Sequence, residues 1–158
     1  MMASSSPLWW LALARPAGGP GATTNSAVSS YALTVIGAPY LFGGFSKSTG
    51  WDCSGCVNNI LGIGFGLLLP EMGTTPYTGT SHGPSAKQYR QWRFAETIKR
   101  SAITAGDLVI WKTHIGIALD PTYMLSALDK HYGTTVTPID GFGPAGERLT
   151  CRHIIAAV

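Results

Sequence analysis

A chain of 158 residues is long enough for one domain with a substantial core and too short for two of ordinary size. Its 45% hydrophobic and 12% charged content is not that of a disordered chain. A formal charge of +3, with basic residues scattered apart from 87–93 and Lys99-Arg100, argues against nucleic acid as a partner.

Residues 1–14 read M-M-A-S-S-S-P-L-W-W-L-A-L-A. The apolar run 8–14 falls far short of the ~20 residues that a membrane span needs. Two readings stand. It is the core of a signal peptide, with Ala12-Leu13-Ala14 as the cleavage site, although no Lys or Arg precedes it and Pro7 opens it. Or it is an apolar arm that packs on the domain or on a partner. Residues 15–25, R-P-A-G-G-P-G-A-T-T-N, form a linker by composition. The expected organisation is therefore an arm and linker over 1–25 and one domain over 26–158.

A helix is expected from Ser26, capped by Asn25 or Ser26 and stopped by Gly37 with Pro39 beyond. The next stretch, 37–57, is G-A-P-Y-L-F-G-G-F-S-K-S-T-G-W-D-C-S-G-C-V. A Gly-punctuated loop delivers Cys53 to the first turn of a second helix over 53–65. Val57, Ile60 and Leu61 should face the core and Asn58-Asn59 the wetter side. Free N–H groups at a helix start favour an anion, so the Cys53 thiol is expected to ionise below its reference pKa of about 8.5. Asp52 is suited to cap the helix.

Residues 71–85 lack periodicity and read as an irregular loop shaping a cleft, with His82 facing solvent or forming a wall. A short polar-faced helix or turn follows over 85–93. From Ile103 onward the pattern turns to β, with runs at 108–111, 115–119, 123–128 and 134–139 and a last strand in the tail. Helices first and strands after predict an α+β fold, an antiparallel sheet packed on the Cys53 helix.

The β run G-D-L-V-I-W-K-T-H-I-G-I-A-L-D, 106–120, carries one histidine, His114, in an apolar setting. A cysteine at a helix start and a histidine on a distant strand suit a Cys–His acyl-transfer enzyme, Cys53 as nucleophile and His114 as base. Two other readings of Cys53-Ser54-Gly55-Cys56 compete. A redox pair would follow the first strand of a βαβ pattern, and zinc would need two more ligands at paired spacing. The sequence offers neither, and no metal or organic cofactor is expected. Three cysteines, Cys53, Cys56 and Cys151, make no disulfide framework. His131 reads as a turn residue and His153 as part of the terminal strand, neither assigned to chemistry.

Pro39-Tyr40, Gly43-Gly44, Asp52-Cys53-Ser54-Gly55, Gly106-Asp107-Leu108 and His114-Ile115-Gly116-Ile117 together resemble the NlpC/P60 family of cell-wall peptidases. The resemblance runs over roughly 26–139 and implies a papain-like core. It implies a thiol peptidase that cuts an amide in peptidoglycan stem peptides, between D-glutamate and the diamino acid. Tyr40, Asp52 and Ser54 would then serve the substrate or the oxyanion, Asp52 through a free amine of the peptide. The Cys53 backbone N–H is a natural oxyanion donor.

The family places a polar residue, most often His, on the next strand to orient the base; here that position is Ser126. A serine is shorter and uncharged. Either a water bridges the gap, or Asp129 or another group takes the role, or activity is modest. The text of 124–139 resembles copies carried by phage tails and similar injection machines, so tail proteins are candidate partners through the N-terminal arm. The expected location is extracellular or on a virion tail. Two alternatives remain: a degenerate wall- or tail-binding module without catalysis, and an amidase or acyltransferase on the same core.

Overall fold

The computed structural model describes residues 24–155; of the arm and linker read in 1–25, all but Thr24 and Asn25 lie outside the described residues. Helix α1 runs Thr24–Leu33 and starts two residues before Ser26. Val28 and Ala32 are fully buried along it. The Asn25 side chain does not cap the helix: its amide donates to the Ile154 carbonyl at 3.1 Å and contacts the His153 ring.

Two short strands, β1 (Phe45–Ser46) and β2 (Gly50–Trp51), form a hairpin just before the cysteine. Helix α2, Cys53–Asn58, follows at once and widens into a π turn over Asn59–Gly64. Loop and helix pack backbone to backbone. A Cβ on Gly55 would fall on the Gly44 carbonyl, and one on Gly44 on the Gly50 carbonyl, so only glycine fits. Behind the helix, Val57, Ile60 and Leu61 are buried as expected. Each such side chain contributes about 1.5–3 kcal/mol of burial.

Asn58 departs from expectation. It is wholly buried, and its amide donates to the His82 and Pro84 carbonyls at 2.8 and 2.9 Å. Its carbonyl oxygen accepts from the Tyr89 hydroxyl. The loop after the helix is thus tied down from beneath, and a 3₁₀ helix, Ala86–Gln91, continues it.

Strands β3 (Ala95–Ile98), β4 (Leu108–Ile110), β5 (Ile115–Ala118), β6 (Tyr123–Asp129), β7 (Gly133–Pro138) and β8 (Thr150–Ile154) follow. They form one antiparallel sheet in the order β3-β8-β4-β5-β6-β7. Alternation splits the strands' side chains between two cores. Leu108, Ile110, Ile115, Ile117, Leu125 and Ala127 join α1 and α2, while Val109, Ala118, Met124 and Cys151 pack with Trp111 on the other side. The expected α+β arrangement is the one observed. No helix among the described residues is long and apolar enough to cross a membrane.

Candidate active site

Asp52 fixes the start of α2. Its Oδ1 accepts from the Gly55 N–H at 2.8 Å and its Oδ2 from the Gly43 N–H at 3.0 Å, joining helix and loop through one carboxylate. Burial works against its charge. The His82 hydrogen bond, the two backbone donors and the His82 charge outweigh it and hold the carboxyl below its usual range.

Cys53 then lies at the helix start, 8% exposed. Its thiol donates to the Thr113 carbonyl at 3.8 Å and lies beside the Ile115 N–H, so it touches the backbone on both sides of His114. A turn closed by the Trp111 N–H on the His114 carbonyl at 2.7 Å places that backbone there. Helix and strand residues about sixty positions apart in the chain therefore meet. The hydrogen bond of the thiol runs to the carbonyl before the histidine.

The electrostatics correct the expectation of a readily ionised thiol. Burial pushes Cys53 up to about 11; Asp52 adds to this, and the nearby backbone N–H groups of Ile115, Ser54 and Cys53 oppose it without winning. Burial likewise pushes His114 down to about 4, with only the Glu147 charge acting the other way. The helix start offers only a partial positive charge, and desolvation of a nearly enclosed sulfur exceeds it. At neutral pH the resting pair is thiol and imidazole.

Ser126 is buried on β6, and a Cβ built on Gly116 would stand 3.4 Å from the Ser126 Cβ. The two positions are therefore cross-strand neighbours, and His114 immediately precedes β5, two residues before Gly116. His114 Nε2 and Ser126 Oγ are both buried, and neither has a hydrogen-bond partner among the described residues. Asp129 is engaged elsewhere, its Oδ1 accepting from the N–H groups of His131 and Tyr132 at 2.9 and 2.8 Å.

Tyr40 lines the same region. Burial first, then the charges of Cys53, Asp52 and Asp129, raise its hydroxyl above the ordinary tyrosine value. Ser54 packs between Asp52 and His82, at 3.3 Å from the carboxylate and 3.4 Å from the ring.

His82 is the neighbour that its Gly/Ser surroundings understated. Its Nε2 lies 2.7 Å from Asp52 Oδ1 and its Nδ1 lies 3.0 Å from the Gly83 carbonyl. Carboxylate and carbonyl only accept, so the two contacts favour the protonated ring. The Asp52 hydrogen bond accordingly raises its pKa, against desolvation. His153 makes a separate structural pair, Nδ1 at 2.6 Å from the buried Asp107 carboxylate.

The sequence and the fold have counterparts. The NlpC/P60 family profile matches residues 37–145. Over 88 residues the chain is 35% identical to the gamma-DL-glutamyl hydrolase of Bacillus subtilis (strain 168); that stretch is 56% of this chain and 18% of the relative's length. The peptidoglycan hydrolase RipB of Mycobacterium tuberculosis superposes with a TM-score of 0.59 at 23% identity, over 95% of this chain and 72% of that one. The P60 domain of antigen MAP1204 from M. avium subspecies paratuberculosis does so with a TM-score of 0.59 at 23% identity, over 84% and 98%. The match over 37–145 spans the cysteine helix, the Asp52 loop and the histidine strand, and the chain belongs to the NlpC/P60 family of cysteine peptidases.

Proposed function

We propose that this chain hydrolyses an amide of peptidoglycan stem peptides, at the bond between D-glutamate and the diamino acid, with Cys53 as nucleophile and His114 as base. The observation that carries the reading is the Cys53 thiol seated against the backbone that bears His114. The glutamyl specificity draws support from the relative named a gamma-DL-glutamyl hydrolase.

As sulfur attacks the carbonyl carbon, the thiol proton passes to the neutral imidazole. The tetrahedral oxyanion develops within reach of the Cys53 N–H at the helix start, with Tyr40 beside it. On collapse the C–N bond breaks and His114 returns the proton to the leaving amine, giving a thioester. Water, deprotonated by His114, then releases the acid and regenerates the thiol. No metal or organic cofactor enters these steps.

Ser126 orients the base in this reading, supported by its cross-strand place near His114. Asp52 and Ser54 shape the substrate side of the cleft. Because the Asp52 carboxylate already holds two N–H groups and His82, a substrate amine would have to share or displace the His82 contact. On a phage tail or injection machine, docking would fall to the N-terminal arm, residues 1–14. The test is mass spectrometry of defined peptidoglycan fragments after incubation with the parent protein and with Cys53→Ala. A product with free D-glutamate γ-carboxyl from the parent alone supports the reading; intact fragments with both sink it.

A further inference from the structure

Glu147 lies just beyond the residues matched to the family, 37–145. Its side chain reaches the turn that carries His114. Oε1 accepts from the Thr113 N–H at 2.8 Å and Oε2 from the Thr113 hydroxyl at 2.7 Å. Thr113 is the residue whose carbonyl receives the Cys53 thiol. One carboxylate therefore grips the peptide on which the proposed nucleophile and base meet.

The loop that presents Glu147 is fitted to the same turn. Gly143 lies so close to the Trp111 indole that a Cβ there would overlap the ring. The Trp111 and His114 ring centroids are 5.8 Å apart. The Glu147 N–H returns to the Pro144 carbonyl at 3.2 Å, closing a tight turn behind the carboxylate.

We infer that Glu147 is a positioning residue for the Cys53–His114 pair, clamping Thr113 so that the thiol and the histidine backbone keep their contact. The inference rests on the proposed roles of Cys53 and His114. The groups that face Glu147 are Thr113 and Lys112 of the turn and Arg90 of the 3₁₀ helix; together they hold its carboxyl below the usual range, so it is charged at neutral pH. That charge opposes the effect of burial on His114 and favours the imidazolium formed during attack.

The experiment compares the parent with Glu147→Gln, Glu147→Ala and Thr113→Val. Turnover of a stem peptide is measured from pH 3 to 9. Alkylation of Cys53 by iodoacetamide, followed by peptide mass spectrometry, provides a readout that needs no substrate. Glu147→Ala should lower kcat about tenfold with KM changed less than about twofold, and slow Cys53 alkylation at pH 7. Glu147→Gln should recover part of kcat, because its carbonyl oxygen still accepts from the Thr113 N–H. It should also move the acid limb of the profile to lower pH, since the charge favouring the imidazolium is gone. Thr113→Val should lower kcat without moving that limb. Should Glu147→Ala unfold, the isosteric Gln variant and Thr113→Val carry the decision. Parent-like kcat, alkylation rate and acid limb in the Glu147 variants would overturn the inference. If the parent cuts no stem peptide, the peptidase reading fails while the alkylation profiles still decide the role of Glu147.

Discussion

At the scale of single residues, burial keeps the candidate pair uncharged at rest. With Cys53 raised to about 11 and His114 lowered to about 4, the proposed mechanism has to create its ion pair during attack. Cys53→Ala should therefore abolish hydrolysis and leave the fold intact. Cys56→Ala should keep most activity, because the Cys56 thiol is 1% exposed and burial raises its pKa strongly. Equal loss in both variants would point to a dithiol chemistry instead. Ser126 is where a sequence departure and a structural oddity coincide, since its buried hydroxyl and the buried His114 Nε2 both lack a hydrogen-bond partner among the described residues. If it orients the ring, Ser126→Ala should lower turnover roughly three- to tenfold with little change in stability. If the family pattern marks the better solution, Ser126→His should be tolerated and raise turnover, since an imidazole reaches further across the strand than a hydroxyl. Turnover of all three versions from pH 5 to 9 decides; an Ala variant equal to the parent at every pH removes Ser126 from the mechanism. The next group to mutate would be Asp129, whose Oδ1 accepts from two N–H groups of the β6–β7 turn.

At the scale of elements, the cysteine helix is short and borrowed support makes it rigid. Asp52 secures its start, the π turn its end, and Asn58 ties it to the loop over 71–85. Two adjacent asparagines after a Val57 core position read as a wet face by composition. Asn58 is the opposite, because three partners contributed by distant residues satisfy it, and no local pattern encodes those partners. His82 was underread for the same reason: its role depends on a loop folding back thirty residues onto Asp52. Asn58→Ala should strand the Tyr89 hydroxyl and two loop carbonyls and cost roughly 3 kcal/mol, measured by urea unfolding. Activity should fall further than stability alone explains, because His82 loses its seat. The His82–Asp52 pair adds a pH signature. A raised histidine pKa means stability present below the unfolded value and lost as pH rises through the folded one. A lowered Asp52 pKa means stability lost as pH falls through that folded value. The stability gap between parent and His82→Gln should thus be widest in mild acid and close above neutrality.

At the scale of the whole molecule, the β runs from 108 to 139 were legible because alternation and turn residues are local signals, and the observed strands match them within a residue or two. Strand β3 was not foreseen. It is four residues at the sheet edge, only its first is buried, and it exists by pairing with β8, more than fifty residues away. The candidate pair could be named from the sequence, since Cys53 and His114 carry local motifs, and the fold brings the Cys53 thiol to the backbone flanking His114; the charge state could not, because it is set by enclosure. That enclosure should shape the stability of the whole chain. Unfolded, His114 titrates near 6.5; folded, near 4. Between those values the unfolded chain binds more protons, so stability must fall as pH drops through the window, by the order of 3 kcal/mol at its foot. Cys53 works at the other end. Its thiol ionises near 9 when unfolded and about 11 when folded, so stability must fall again as pH rises through that interval. Urea unfolding from pH 4 to 10 should therefore give a plateau around neutrality with two descending flanks. His114→Gln should flatten the acid flank and Cys53→Ala the alkaline one, each leaving the other flank in place. An acid flank unchanged in His114→Gln would mean that the imidazole is more open to solvent than its 7% exposure indicates.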